Sequence, residues 1–212
     1  MPKHIIIAGC IGIGKTALTE ALVEKYPQLF ALIEEPVQKW VDSKFLEAFY
    51  GDEKHFALSF QQFAFITRLG EYVRVVNENP NMKFLVFDSH FSLDRGTFVQ
   101  TLFEEGKLSQ QEVNFYEAHQ QVAAEIAPGI NVIDYFFLLD GNVDLSMERI
   151  RERSRTEEVG IPKDYLERLQ TNYARMFGEL CVNIAKVRLD ATRSVDQLVQ
   201  DVFDVLISDK KC

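Results

Sequence analysis

Short, uninterrupted apolar runs recur along the chain and predict five buried strands. The first run, IIIA at residues 5–8, ends at Gly9. Three similar runs cover residues 30–33, 84–87 and 135–139, and the alternating segment KVRLD at residues 186–190 predicts the fifth strand. A continuous apolar run of this length, bounded by turn residues, is typical of a strand that is buried on both faces.

The segments between these runs carry the apolar period of helices. The period predicts helices over residues 15–26, 43–50, 54–79, 94–105, 109–127, 143–155, 162–185 and 194–207. Strands that alternate with helices, without hairpin signals, imply parallel βαβ units. We therefore predict an α/β fold with an open five-stranded parallel sheet and helices on both faces. No linker rich in Pro, Gly or Ser divides residues 1–212, which predicts a single domain.

Composition narrows the class of protein and of partner. The 212 residues are 47% hydrophobic with a net charge of −9, which excludes a disordered chain and argues against a nucleic-acid duplex as partner. Cys10, Cys181 and Cys212 are too far apart to suggest a metal site or disulfide framework, which fits a reducing compartment. No apolar run reaches about 18 residues, so we expect no membrane span. We also expect no targeting segment and hence a cytoplasmic location.

Residues 9–16 read GCIGIGKT and match the phosphate-binding pattern G-x-x-x-x-G-K-[ST]. In this pattern Gly9, Gly12 and Gly14 let backbone N–H groups surround phosphate oxygens. Lys15 reaches the β- and γ-phosphates, and the Thr16 hydroxyl ligates Mg²⁺. A glycine turn without chemical use is the alternative, but a predicted strand precedes the motif and a predicted helix follows it, as a phosphate loop requires. The motif therefore predicts a site for ATP and Mg²⁺.

Two carboxylates follow the second predicted strand, at the edge where parallel sheets bind ligands. Glu34 and Glu35 lie there, directly before Pro36. A carboxylate at such a strand end can accept a hydroxyl proton as a general base. A pair of solvated loop acids is the alternative, and for these residues taken alone it is the better explanation.

Further motifs follow in a fixed order. Glu-Pro-Val-x-x-Trp occupies residues 35–40, after the phosphate loop. The others are Tyr50, Phe60-Gln61, Asp94-Arg95, Phe98, the segment RIRERSRTEE at residues 149–158, Gly160-Ile161-Pro162 and Tyr165-Leu166. Over about residues 4–206 this series resembles the deoxynucleoside kinases of the deoxycytidine, deoxyguanosine and insect broad-specificity type. Several motifs in the right order are far more specific than any one of them.

The resemblance implies a P-loop kinase fold with an arginine-rich lid. It implies an enzyme that transfers the γ-phosphoryl group of ATP to the 5′-hydroxyl of a small deoxynucleoside in nucleotide salvage. Glu35 resembles the base that takes the hydroxyl proton, and Lys15 would stabilise charge on the transferred phosphate. Family members also suggest a homodimer formed through a pair of helices.

The arginine-rich segment at residues 149–158 resembles the lid that closes over the transferred phosphates. Arg153 and Arg155 would contact phosphate, and Arg149 would lie near the adenine of the donor. The alternative is a solvated helix face in which Glu148 and Glu152 pair with these arginines. A phosphate loop in the same chain favours the lid, because phosphoryl transfer depends on positioning and charge stabilisation.

The resemblance also implies an acceptor pocket. Gln61 resembles the residue whose amide pairs with the base, since an amide offers both a donor and an acceptor. Phe98 resembles the residue that stacks on the base. Trp40 and Phe60 would form the walls of the pocket. Tyr50 and Glu158 resemble the pair that holds the sugar 3′-hydroxyl. For Phe60 and Phe98 taken singly, simple core packing is the alternative.

Arg68 and Asp94 resemble a charged pair that lines the base pocket in deoxycytidine and deoxyguanosine kinases. Relatives that prefer thymidine have apolar residues at these positions. A charged pair narrows the pocket and favours bases with exocyclic amines over the methyl group of thymine. The sequence thus predicts deoxycytidine or a purine deoxynucleoside as the substrate, with an exposed surface ion pair as the alternative.

The pattern departs from the family after the third strand, where the chain reads Asp88-Ser89-His90. Asp88 fits the carboxylate that helps to hold Mg²⁺, but Ser89 stands where the family has an arginine near the acceptor 5′-oxygen. His90 or Arg95 are candidate replacements for the lost charge. Weakened catalysis, a compensating group and a non-catalytic descendant all remain open.

Two rival functions therefore stay in view. A nucleoside monophosphate kinase of related fold, such as a thymidylate kinase, would need an extra arginine near Glu35, which the sequence does not show. A degenerate kinase fold that serves as a structural protein is suggested by Ser89. The intact phosphate loop and arginine-rich segment argue against it, because a scaffold needs neither.

Overall fold

A computed structural model describes residues 2–127, 129–158, 160–180 and 184–208. Its sheet contains the strands β1 (Lys3–Ala8), β2 (Phe30–Ile33), β3 (Phe84–Asp88), β4 (Tyr135–Asp140) and β5 (Ala185–Asp190). All neighbouring pairs are parallel, and the spatial order is β2-β3-β1-β4-β5. The predicted α/β fold with a five-stranded parallel sheet is confirmed.

Helices surround this sheet. They are α1 (Lys15–Lys25), α2 (Val37–Asp42), α3 (Phe45–Gly51), α4 (Glu53–Glu78), α5 (Phe91–Asp94), α6 (Phe98–Glu104), α7 (Gln110–Ile126), α8 (Val143–Arg153), α9 (Lys163–Glu179) and α10 (Val195–Ser208). A 3₁₀ turn covers Thr156–Glu158. Strands β1, β3 and β4 are buried at almost every position. Because successive strand residues point to opposite faces, helices must cover both faces, as predicted.

The predicted helix over residues 94–105 is interrupted. α5 ends at Asp94 and α6 begins at Phe98, with Thr97 in a non-helical conformation. Gly96 lies at the break, where a Cβ atom would meet Met176 Sδ of α9 at 2.1 Å. Met176 therefore packs directly against the backbone of Gly96, and a larger residue here would displace that flexible side chain. The apolar period does not register such a tertiary contact.

One helix was missed and another was predicted too long. α2 was not predicted, because its six residues after Pro36 are too few to show an apolar period. The predicted helix over residues 162–185 ends at Glu179, since Leu180 leaves the helical conformation with ψ of 139°. Its residues 181–183 lie outside the described residues, and Ala185 already belongs to β5.

The strand register brings the carboxyl ends of β1, β2 and β3 to one edge of the sheet. Ile7 pairs with Asp88, and Ile33 pairs with Phe87. The segments that leave these strands, which contain Gly9 and Glu35, therefore start side by side. This edge is where parallel sheets bind ligands.

Among the described residues, no helix is both long and apolar enough to cross a membrane. Cys10 is a buried free cysteine. Cys181 and Cys212 lie outside the described residues. The single-domain organisation, the cytoplasmic location and the absence of a nucleic-acid partner stay predictions.

Candidate active site

A cavity of about 410 Å³ lies at the carboxyl edge of the sheet. It is lined by residues that follow several different strands, among them Lys15, Glu35, Ser89 and Arg193. All of the site residues predicted from the sequence line it, except Gly9 and Asp94. The structure thus brings the predicted donor and acceptor residues around one space.

The phosphate loop owes its shape to glycine. Gly12 and Gly14 have φ values of 76° and 109°, in the left-handed region that other residues rarely adopt. A Cβ atom on Gly12 would lie 2.7 Å from the carbonyl oxygen of Ser146. Gly14 is followed directly by the first turn of α1, so the helix N-terminus points its free N–H groups at the cavity.

The ammonium group of Lys15 folds back over this loop. Its Nζ donates hydrogen bonds of 3.1 Å to the carbonyl oxygens of Gly9 and Cys10. The positive charge therefore lies at the mouth of the loop, at the place where phosphate oxygens would meet the backbone N–H groups.

Thr16 and Asp88 meet across the loop. The Thr16 hydroxyl donates to Asp88 Oδ2 at 2.5 Å, while the buried Asp88 Oδ1 makes no hydrogen bond within the described residues. Burial raises the pKa of Asp88, and the ammonium of Lys15 opposes that rise. No cluster of three or more His, Cys, Asp or Glu ligands exists in the described part of the chain. One hydroxyl and one carboxylate with an unused oxygen fit Mg²⁺, which takes few protein ligands and completes its shell with phosphate and water.

Glu35 follows β2 and makes an ion pair that the sequence did not predict. Arg68 Nη2 of α4 donates to Glu35 Oε1, and Arg68 Nη1 donates to Asp94 Oδ2 at 2.5 Å. The guanidinium also lies over the Trp40 ring, 5.0 Å from its centroid. The side chains of Arg68 and Asp94 are only 7% and 1% exposed, so a surface ion pair was the wrong alternative. Burial raises the pKa of Asp94 to about 7, with Arg68 opposing the rise.

Aromatic rings form the acceptor end of the cavity. Phe60 stacks on Phe49 at 4.6 Å and meets Trp40 edge-on at 5.5 Å. Gln61, which is 3% exposed, and the half-buried Phe98 also line this cavity. Phe60 thus packs in the core and lines the cavity at once. Phe49, a further ring of this wall, was not predicted.

The predicted lid arginines and the predicted sugar-binding carboxylate lie together. Arg153 donates to Glu158 Oε2, and Arg155 Nη1 donates to Glu158 Oε1 at 2.5 Å. Burial, aided by the charge of Glu158, raises the pKa of Tyr50, which keeps its hydroxyl protonated. The arginines therefore pair with Glu158 rather than with Glu148 or Glu152.

Arg149 ties two loops of the cavity together. It donates to the carbonyl oxygen of Ile13 in the phosphate loop, and its Nη2 donates at 3.0 Å to the carbonyl oxygen of Ala191 after β5. Arg193, two residues further on, also lines the cavity and pairs with Asp201. Arg193 was missed, although its place just after a predicted strand was a signal for it.

The neighbours of Ser89 do not bring positive charge into the cavity. Ser89 itself lines it, with a left-handed φ of 72°. His90 is fully buried, and burial lowers its pKa well below the usual value, so the ring is neutral. Arg95 pairs with Glu117 of α7 at 2.5 Å. The hypothesis that His90 or Arg95 replaces the lost charge is therefore wrong.

Comparisons with known proteins agree on one family. The deoxynucleoside kinase family model matches residues 5–210. The probable deoxycytidine kinase of Fowlpox virus is 28% identical over 84% of this chain and 72% of its own length. The thymidine kinase of Ictalurid herpesvirus 1 is 28% identical over 97% of this chain and 87% of its own length. A solved structure of deoxyadenosine kinase from M. mycoides, with dCMP and a flexible dCDP bound, superposes with a TM-score of 0.79 at 21% identity, covering 97% of this chain and 99% of that one.

Proposed function

Since the chain belongs to the deoxynucleoside kinase family, we propose that it transfers the γ-phosphoryl group of ATP to the 5′-hydroxyl of deoxycytidine or a purine deoxynucleoside. Family membership makes it a phosphotransferase that acts on deoxynucleosides. The proposal adds the preferred nucleobase of the acceptor. The observation that carries this proposal is one cavity lined both by the phosphate loop with Lys15 and by Glu35 with Arg68.

In this reaction the 5′-oxygen forms a bond to the γ-phosphorus while the bond from that phosphorus to the β-γ bridging oxygen breaks. ADP leaves with the electron pair, and the hydroxyl proton passes to Glu35.

The positively charged side chains of the cavity stabilise the phosphates during this step. Lys15 neutralises charge on the β- and γ-phosphates. Arg153 and Arg155 would leave Glu158 for the phosphate, which frees that carboxylate to accept the 3′-hydroxyl together with Tyr50.

Thr16 and Asp88 would hold Mg²⁺, because the two side chains are in contact and one carboxylate oxygen is unused. The ion supplies charge neutralisation at the β- and γ-phosphates when it is bound. Arg149 holds the phosphate loop against the backbone after β5 and so shapes the donor end, where the adenine would lie.

The base preference is supported by the buried charged pair Arg68 and Asp94. Arg68 lines the cavity, and its Nε is buried without a hydrogen-bond partner among the described residues. Buried polar atoms of this kind are costly unless a ligand or water satisfies them. A ring nitrogen of the base can accept from this N–H, and a wall formed by a buried charged pair is a poor surface for the methyl group of thymine.

Phosphate transfer from labelled ATP to each of the four deoxynucleosides, with thymidylate in parallel, tests the proposal. We expect turnover with deoxycytidine or a purine deoxynucleoside. Turnover with thymidine alone would support the deoxynucleoside kinase activity but refute the base preference argued from Arg68 and Asp94. Turnover with thymidylate alone would indicate a monophosphate kinase. ATP binding without transfer to any acceptor would favour the non-catalytic protein that Ser89 suggested.

We further propose that the chain forms a homodimer through α4 and α7. These neighbouring helices carry an apolar stripe of exposed side chains, named here the α4–α7 face: Ile66, Val73, Phe115, Val122 and Ile126. Ile126 is 77% exposed and Ile66 is 57% exposed. Residues spaced by seven or four positions share one face of a helix, and an apolar face on two neighbouring helices fits a second copy of itself across a two-fold axis.

The paired substitution Val122→Glu and Ile126→Glu should convert the dimer into a monomer, because burying two carboxylates in an apolar interface is unfavourable. Sedimentation equilibrium measures the mass. Ile207→Glu on α10, where the side chain is 42% exposed, is the matched control and should leave the dimer intact. A monomeric wild-type chain, or a paired variant that stays dimeric, would contradict this assignment.

A further inference from the structure

Arg68 is the residue that joins the base pocket to the reacting end of the cavity. Its guanidinium binds Asp94 Oδ2 with Nη1 and Glu35 Oε1 with Nη2. A planar guanidinium donates through several N–H groups in a fixed geometry, so the positions of the two carboxylates are set relative to each other.

The side chain of Arg68 is held in place by the residues around it, whereas the orientation of the Glu35 side chain depends on Arg68. Arg68 lies in the long helix α4, is 5% exposed, and is held by Asp94 and by the face of Trp40. Glu35 lies in the segment between β2 and α2, and its side chain is 21% exposed. The buried helical residue therefore orients the loop carboxylate.

The other cationic side chains that line the cavity have partners elsewhere. Lys15 donates to loop carbonyl oxygens, and Arg149 donates to Ile13 and Ala191. Arg153 and Arg155 pair with Glu158. Arg193 pairs with Asp201. The residue after Asp88 at the third strand is the uncharged Ser89.

We propose that Arg68 is a positioning residue for the phosphoryl transfer, in addition to its place in the base pocket. By binding Glu35 Oε1, Arg68 presents Oε2 to the 5′-hydroxyl. The proton acceptor is therefore in place when the nucleobase occupies its pocket. This inference rests on the proposed function, because it assigns Glu35 as the proton acceptor. Arg68 thus contributes to kcat as well as to the choice of base.

A double variant separates this role from simple loss of stability. Arg68→Met alone would leave Asp94 buried without a partner and could unfold the chain. Arg68→Met combined with Asp94→Asn removes both charges of the buried pair, and Asp94→Asn alone is its reference. We expect the double variant to have a kcat about 10- to 100-fold below that of Asp94→Asn, at an unchanged KM for ATP, since a misplaced catalytic group costs this much.

Arg74→Met is the matched control, because Arg74 lies on the same helix, is 53% exposed at its side chain and pairs with Glu71 and Glu78. It should leave kcat unchanged. Thermal unfolding of each variant verifies that the fold is kept. A double variant with the kcat of Asp94→Asn, and a change in acceptor KM alone, would overturn the positioning role. A wild-type chain that phosphorylates no deoxynucleoside would refute the proposed function itself, which is a different result.

Discussion

Replacing Glu35 by Gln should lower kcat by about 10²- to 10⁴-fold, the range that a positioned general base contributes. The amide keeps the shape of the side chain, and its oxygen can still accept a hydrogen bond from Arg68. It cannot take a proton from the 5′-hydroxyl at neutral pH. The loss should therefore fall on kcat, measured by steady-state transfer from ATP to the best acceptor.

Glu34→Gln provides the matched control for this substitution. Glu34 is adjacent in the same segment but exposed, whereas Glu35 lines the cavity. The Glu34 variant should keep the wild-type kcat, and both variants should keep the wild-type unfolding temperature and KM for ATP. A Glu35→Gln enzyme with full kcat would refute the assignment of Glu35 as the base.

The fold could be predicted from the sequence because its signals are local. The first four strands are short apolar runs, and the run at residues 5–8 passes directly into the phosphate loop. The shape of that loop is determined by its own glycines, so Lys15 and Thr16 could be placed from the motif alone. The break before α6 was not predicted, because the apolar period of residues 94–105 runs through it without interruption.

The ion pairs of the site show where sequence reasoning ends. Arg68 and Glu35 are 33 positions apart, and a charge pattern does not tell which of several carboxylates an arginine will contact. The resemblance suggested Asp94 as the partner, but the guanidinium binds both acids. The same holds for Glu158, which was expected at the sugar and in the structure binds Arg153 and Arg155.

These pairs have a common physical reason. Buried or half-buried charges require partners of opposite sign, and the arginines of this site have them in nearby carboxylates. Sequence motifs record which residues meet a substrate. They do not record which of these residues contact each other.

Replacing Lys15 by Met should lower kcat/KM by about 10²- to 10³-fold, the loss that follows removal of one donor aimed at developing charge. The Met side chain fills similar space but offers no charge to the β- and γ-phosphates. Its hydrogen bonds to the carbonyl oxygens of Gly9 and Cys10 would also be lost. ATP affinity should fall as well, because the lysine contacts the phosphates in the bound state and in the transition state.

Lys25→Met is the control for charge removal, since Lys25 is an exposed lysine in the last turn of the same helix. It reduces the positive charge of α1 by the same amount but far from the loop, so kcat/KM should stay at the wild-type value. Steady-state kinetics and titration with a non-hydrolysable ATP analogue measure both effects. If the two lysine variants behaved alike, the phosphate loop would act through its backbone N–H groups and the helix N-terminus alone, and Lys15 would have no share in the transfer.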